Sequence, residues 1–179
     1  MNHYPHRYKQ GKILQSITQE QFEAALQHPY NQALEYQAFI VQLYYTGARV
    51  IEQIRPLKEA YQITDKIVYW DVGKRLKHGK HTKPLPLSRD LPHVELLVAQ
   101  IERTKKGKRV FDFHRSTAWR HVSKSGLGYN HLARLSAMTA FLKSGWSVAQ
   151  VVNWFGVSVQ TVNAYIGDVD LEEMGRMKR

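Results

Sequence analysis

The segment that decides the fold is residues 43–58, LYYTGARVIEQIRPLK. It overlaps a run over residues 31–46 that is apolar almost all round, which is typical of a helix buried at the centre of a domain. Gly47 follows in the position of a helix C-cap, where glycine adopts the left-handed conformation without strain. A short second helix is predicted to begin at Arg49 and to end before Pro56. The chain therefore turns directly after its central helix and presents an arginine at the junction.

Helices and strands are predicted on both sides of this segment. The first helix is predicted to begin at Thr18, because Thr18 and Gln21 form the T-x-x-Q pattern of a capping box. Residues 62–87 are rich in β-branched and aromatic residues, which predicts two or three antiparallel strands with a turn near His78-Gly79. Additional helices are predicted over residues 88–103, 114–123, 130–143, 147–155 and 158–166. The expected fold class is mainly α with a small antiparallel β-sheet, an α+β fold.

The composition favours a polyanionic partner. The chain has 179 residues, with 26 Lys and Arg against 15 Asp and Glu and a formal net charge of +11, so nucleic acid is the first candidate. It has no cysteine, which excludes disulfides, thiolate catalysis and cysteine-based zinc sites. No stretch has the apolar core of a signal peptide or the ~20 apolar residues of a membrane span. We therefore expect an intracellular protein, cytoplasmic or associated with the nucleoid, with no membrane partner.

The length fits one domain. We expect it over residues 14–167, with a basic arm or interdomain linker over residues 1–13 and a charged tail over residues 168–179. Two H-x-x-H pairs, His3/His6 and His78/His81, lack helical i, i+4 spacing and an acidic partner. No metal or other cofactor is therefore expected.

Four separated elements carry reactive side chains that together suit phosphoryl transfer. Two arginines, Arg49 and Arg134, can clamp the non-bridging oxygens of a phosphodiester, because guanidinium groups stay charged and offer forked donors. His131 lies three residues before Arg134 and shares its helix face. Tyr165, near the end of the last predicted helix, is a competent nucleophile once a base removes its proton. A lysine of the basic hairpin, which contains Lys77, Lys80 and Lys83, can protonate the leaving oxygen.

Four stretches of sequence also carry a resemblance to a known family: LYYTGARVIEQIRPLK (43–58), KHGKHTKPLPL (77–87), HLARLSAMTAFLKSG (131–145) and FGVSVQTVNAY (155–165). In the same order they look like the motifs T-G-x-R-x-x-E, K-x-G…P-L, H-x-x-R and L-G-H…T…Y of the tyrosine recombinase, or phage integrase, catalytic domain. The match covers roughly residues 14–167. Each motif alone is weak, but four in the right order are fairly specific.

The resemblance implies a site-specific DNA recombinase. Tyr165 would attack the scissile phosphate and form a 3′-phosphotyrosine, while Arg49 and Arg134 stabilise the transition state. Lys77 would protonate the leaving 5′ oxygen, and His131 would assist proton transfer. The implied partner is double-stranded DNA, bound by a homo-oligomer, a tetramer, with no small-molecule substrate and no cofactor.

The supporting residues also follow from this resemblance and from the charge pattern. Glu52 is expected to orient Arg49 or to pack its helix. In the family, the segment after the tyrosine docks on a neighbouring protomer, so the tail is expected to do so here. The basic hairpin is expected to contact DNA through Lys74, Arg75, Lys80 and Lys83.

The sequence departs from the family pattern at three places. The family has His or Trp where this chain has Val157, in a segment that is one residue shorter than usual, so Trp154 is expected to replace that donor unless the site works without it. The hairpin is one residue longer, so the catalytic lysine is Lys77, Lys80 or Lys83. The family's N-terminal DNA-clamping domain has no counterpart here, which is expected of either a piece that begins in the interdomain linker or a naturally short form.

Other interpretations of the same residues stay open. Residues 147–166 also have the pattern of a helix-turn-helix, with Gly156 at the turn and Ser158 as N-cap, and with Gln160, Thr161 and Asn163 as base-reading side chains. The chain would then be a non-enzymatic DNA-binding regulator. A third possibility is a recombinase relative without activity. Independently of these, Arg49 has a structural interpretation, as an ion-pair partner of Glu52.

Overall fold

The structure is a computed structural model that describes residues 16–72, 85–128 and 130–166, with the backbone alone for residues 164–166. The strands are β1 (Tyr61–Ile63), β2 (Ile67–Trp70) and β3 (Leu85–Ser88). The helices are α1 (Gln19–Gln27), α2 (Leu34–Thr46), α3 (Val50–Ile54), α4 (Val94–Arg103), α5 (Arg115–Lys124), α6 (Asn130–Lys143), α7 (Val148–Phe155) and α8 (Val159–Ile166). The expected class, mainly α with a small antiparallel sheet, is confirmed.

Helix α2 lies at the centre of the molecule, as its all-round apolar pattern predicts. Phe39, Ile40 and Leu43 are completely buried, and the helix packs against α1, α3, α4 and α6. At its N-terminal side, α1 begins with the predicted capping box. The Thr18 hydroxyl accepts from the Gln21 amide at 3.2 Å, and the Gln21 side chain accepts from the Thr18 amide at 2.9 Å.

The three strands form one antiparallel sheet in the order β1-β2-β3. Tyr61 pairs with Trp70 across β1 and β2, and Val68 pairs with Leu87 across β2 and β3. Alternate residues of β2 and β3 face the core, since Val68, Trp70, Leu85 and Leu87 are buried. The predicted turn near His78-Gly79 lies outside the described residues.

Two predicted helix starts were too early. Ser88 ends β3 by pairing with Ile67, and α4 begins only at Val94 after a left-handed residue, His93, at φ 65°. The central helix begins at Leu34 and not at residue 31, because Pro29–Asn31 form a separate 3-10 turn. The remaining predicted helices agree with the structure to within one residue at each end.

A smaller apolar cluster joins α6, α7 and α8. Its buried members are Ala137, Met138, Val151, Phe155 and Val162. This cluster holds the last two helices beside the end of α2, and it therefore positions the segment that carries Tyr165. None of the helices in the described part of the chain combines the length and apolarity needed to cross a bilayer.

Candidate active site

The candidate site begins at Gly47, where α2 ends. Gly47 has φ 55°, and its amide donates to the Leu43 carbonyl at 2.9 Å, which confirms the predicted C-cap. The residue is also a point of close approach between three helices. A Cβ built on Gly47 would lie 2.7 Å from Ala137 Cβ on α6 and 2.9 Å from Phe155 Cε1 on α7. Glycine is therefore required here by both the backbone angle and the packing.

Arg134 ties these helices together. Its side chain projects from α6 and is 6% exposed, and its Nη1 donates to the Gly47 carbonyl at 2.9 Å. Nη2 donates to the Phe155 carbonyl at the end of α7. The guanidinium carbon lies 5.0 Å from the centre of the Phe155 ring, in cation–π contact. A buried cation is thus compensated by carbonyl dipoles and a ring face.

Arg49 lies two residues beyond the carbonyl that Arg134 binds. It is the N-cap residue of α3, and its Nη1 lies 2.8 Å from Glu52 Oε1 in an ion pair. Glu52 Oε2 also accepts from the Arg49 backbone amide at 2.9 Å. The Glu52 side chain is 8% exposed, whereas that of Arg49 is 33% exposed. The buried carboxylate therefore fixes both the backbone and the side chain of a half-exposed arginine.

His131 and Tyr165 complete the set whose backbone positions are described. His131 is exposed and lies on α6, three residues before Arg134, as the H-x-x-R pattern predicts. Tyr165 lies in the last turn of α8. The start of that helix is set by Ser158, whose hydroxyl accepts from the Thr161 amide at 3.2 Å. Gly156, at φ 57°, makes the turn between α7 and α8 directly after the carbonyl that Arg134 binds.

Trp154 lies in an aromatic group on α6 and α7. Its ring is half-buried and meets Phe141 and Trp146 edge to face, at centroid distances of 5.4 Å and 5.5 Å. The indole Nε1 is buried, with no hydrogen-bond partner among the described residues. Val157 is half-buried against the small apolar cluster. The expected role of Trp154 as a phosphate donor stays a prediction.

The basic hairpin falls outside the described residues. This applies to all of its expected catalytic and DNA-binding side chains, Lys74, Arg75, Lys77, Lys80 and Lys83. Among the described residues, the contacts of Arg134 join the loop of Arg49 and Glu52 to α6, which also carries His131, and to the end of α7. Tyr165 lies on the helix that follows, and no described contact joins it to the two arginines.

Comparison with known proteins gives a fold. No protein-family model matches the sequence, and no curated protein matches it. Among solved structures, XerA recombinase superposes with a TM-score of 0.68 at 18% identity, over 99% of this chain and 67% of XerA. The chain has the tyrosine recombinase fold.

Two structures of XerH agree with this assignment of the tyrosine recombinase fold. XerH, a site-specific recombinase, is bound to a palindromic difH substrate in a post-cleavage complex, with a TM-score of 0.65 at 18% identity. The match covers 95% of this chain and 55% of XerH. The XerH pre-cleavage complex with difH has a TM-score of 0.60 at 19% identity, over 82% of this chain and 47% of XerH. The chain thus spans about half of XerH and about two thirds of XerA.

Sequence reasoning missed one participant and underestimated another. Phe155 was assigned no role, yet its carbonyl and ring both contact the Arg134 guanidinium. Gly47 was predicted only as a helix cap, although its lack of a side chain also allows α6 and α7 to pack closely against it. A carbonyl oxygen has no signature in a sequence, so the first could not have been found. The T-G-x-R pattern was a usable signal for the second.

Proposed function

We propose that this chain is the catalytic domain of a site-specific DNA recombinase of the integrase type. The observation that carries the proposal is the contact of Arg134 with the Gly47 carbonyl. This contact brings together the loop that holds Arg49 and the helix that holds His131. Arg134 also donates to the Phe155 carbonyl, which lies just before the helix that carries Tyr165.

The chemistry follows from these groups. The Tyr165 hydroxyl gives its proton to a base, and its oxygen attacks phosphorus to form a 3′-phosphotyrosine. The bond to the 5′ oxygen breaks, and that oxygen takes a proton from Lys77. Arg49 and Arg134 stabilise the charge on the non-bridging oxygens, and His131 assists proton transfer. In the second step, a 5′ hydroxyl attacks the phosphotyrosine and releases the tyrosine. Because an ester replaces an ester in each step, religation needs no external energy source.

The geometry supports preorganised arginines. Glu52 holds Arg49 by a side-chain ion pair and a backbone hydrogen bond. Two carbonyls fix the plane of the Arg134 guanidinium. Donors held in place before the substrate arrives need no reorganisation when charge develops on the phosphate. Arginines held in this way are better suited to stabilising a transition state than a mobile surface cation is.

The partner in this proposal is double-stranded DNA inside the cell. The net charge of +11 favours it. Exchange of strands between two duplexes requires several active sites, and we propose a homo-tetramer on paired sites. The charged tail, residues 168–179, would dock on a neighbouring protomer.

The decisive experiment traps the covalent intermediate. The full chain is incubated with a pool of nicked suicide duplexes whose sequence around the nick is randomised, so that no target sequence has to be assumed. Adducts are recovered by their resistance to SDS, and their DNA is sequenced. We expect an adduct with the natural chain, none with Tyr165→Phe, and an undiminished adduct with Tyr30→Phe. Tyr30 is 48% exposed, so it is a matched control for the loss of a phenol oxygen.

Failure to form an adduct would contradict the proposal. If DNA binding persisted without an adduct, the chain would be a recombinase relative without activity or a regulator. An adduct that survives in Tyr165→Phe would move the nucleophile to another residue.

A helix-turn-helix regulator is the second candidate, favoured by the geometry of α7 and α8. Gly156 makes a left-handed turn between them, and Ser158 caps α8. Gln160 and Asn163 are exposed on α8. A regulator would lose sequence-specific binding on substitution of Gln160 or Asn163 by alanine and would form no adduct. A recombinase would keep most of its binding in these variants.

A further inference from the structure

A second basic segment, apart in sequence from the predicted hairpin, lies at the end of α4. Residues 103–109 read RTKKGKR, and we call this segment the basic turn. All five of its cationic residues are exposed: Arg103, Lys105, Lys106, Lys108 and Arg109. None of the five makes an ion pair within the described part of the chain. Arg55, at the end of α3, is also exposed. It precedes Pro56 and Lys58, which are hydrogen-bonded to the turn and to the residue after it.

The basic turn is fixed on the fold by main-chain and side-chain bonds. The Lys58 amide donates to the Lys108 carbonyl at 2.8 Å, and the Val110 amide donates to the Pro56 carbonyl at 3.4 Å. Lys58 Nζ donates to the carbonyls of Glu102 and Thr104 at 2.8 Å and 2.7 Å. Lys58 is thus used to terminate α4 and leaves the other cations to face solvent.

The nearby carboxylate of Glu59 is bonded to the backbone of the basic turn and offsets only part of its positive charge. Glu59 Oε1 accepts from the Gly107 amide at 2.6 Å. The pKa of Glu59 is lowered, first by backbone hydrogen bonds from Glu59 and Gly107 and then by the charges of Lys106 and Lys58. The turn therefore holds five exposed cationic residues within seven positions of the chain, and their charges repel one another. A bound polyanion would relieve that repulsion.

We propose that the basic turn is a second contact surface for the phosphate backbone of duplex DNA, separate from the active site. This inference rests on the proposed function. The surface holds little apolar area, since Leu57, at 45% exposed, is the large apolar side chain beside it. A protein partner would need a larger apolar centre, whereas clustered exposed cations are sufficient for phosphates.

The position of the turn agrees with an extended DNA site. Arg49 caps the start of α3 and Arg55 follows its end. At 1.5 Å per residue the two lie about 9 Å apart along the helix axis. Pro56 and Lys58, which follow Arg55, are bonded to the backbone of the basic turn and of the residue after it. A duplex held at Arg49 continues for many phosphates in either direction, so its flank would be within reach of the turn. The basic turn would then add affinity without contributing to the chemical step.

The test measures salt dependence of binding in the full chain, with Tyr165→Phe in every sample so that no covalent product forms. The probe is a fluorescent duplex of mixed sequence. The test variant is Lys105→Gln with Lys106→Gln. The control is Lys66→Gln with Lys143→Gln, which removes the same charge from exposed lysines elsewhere. We expect the slope of log K against log salt to fall by about 1–2 in the test variant, since each lost phosphate contact removes about 0.9. The control should change it by less than half as much.

The outcomes separate this inference from the proposed function. If the slope of log K against log salt is unchanged, or falls equally in the test and control variants, the basic turn does not contact DNA. This conclusion holds even where the natural chain forms the Tyr165 adduct. A slope that falls more in the test variant than in the control supports DNA contact by the basic turn, even where no adduct ever forms. Polyglutamate serves as an acidic-protein probe. If it is bound through Lys105 and Lys106 while the DNA slope stays constant, the proposal is overturned in favour of an acidic protein partner.

Discussion

Substitution of Gly47 by alanine should weaken the protein through two separable costs. A residue with a side chain at φ 55° is strained by about 1–2 kcal/mol. The new methyl group would also lie 2.7 Å from Ala137 Cβ, and overpacking of this kind costs about 1–3 kcal/mol. The sum is roughly 2–5 kcal/mol. In a domain of this size that lowers Tm by on the order of 10 °C.

A matched glycine separates the two costs. Gly126 has φ 85°, and a Cβ there would meet nothing within 4 Å, so Gly126→Ala should cost the strain alone, about 1–2 kcal/mol. Free energies of unfolding from urea titrations, followed by far-UV circular dichroism, give both values. If Gly47→Ala costs no more than Gly126→Ala, the close approach of α6 to Gly47 is not present in solution.

A double-mutant cycle tests the named contact directly. Ala137→Gly removes the methyl group that the new Cβ would meet, at a cost of about 1 kcal/mol for glycine within a helix. Combined with Gly47→Ala, it should recover part of the loss, so that the two changes are non-additive by about 1 kcal/mol or more. Simple additivity of the two losses would refute the contact.

Two further predictions concern the ion pair and a buried histidine. Glu52→Gln should reduce the initial rate of adduct formation roughly tenfold and lower the free energy of unfolding by about 1–3 kcal/mol, because the amide keeps one acceptor oxygen but loses the charge that pairs with Arg49. An unchanged rate would make the pair purely structural. Burial lowers the pKa of His121, so the unfolded chain takes up a proton that the folded chain resists, and stability should fall as pH drops below about 6.5. His121→Gln should flatten this acid limb in urea titrations between about pH 7 and 5, and an identical limb would show that other groups cause it.

The local signals in the sequence were sufficient for most elements. The Thr18 capping box, the Gly47 cap and the Ser158 cap each depend on residues within a few positions of one another, and all are present. The start of α4 was missed because Leu85–Ser88 continues the sheet through pairing with β2. Histidine is more common in the left-handed conformation than most residues, but that preference does not distinguish His93 from the other histidines of the chain.

The candidate site divides in the same way. The pairing of Arg49 with Glu52 is local and could be predicted from the i, i+3 spacing. The partners of Arg134 are carbonyls 87 and 21 residues away in the chain. Such contacts arise from the packing of α2, α6 and α7 and have no pattern at the level of residue types. The indole of Trp154 likewise faces an aromatic group that only the fold assembles.

The hydrogen bonds of Arg134 to main-chain oxygens have a consequence for which substitutions can break them. Every amino acid carries a carbonyl, so no exchange of the side chain at position 47 or 155 removes the acceptor itself. Such changes affect these two hydrogen bonds only by displacing the backbone, whereas loss of the guanidinium removes both bonds at once. One substitution at Arg134 would therefore remove two hydrogen bonds between distant parts of the chain, whereas no single substitution at either acceptor position deletes even one oxygen.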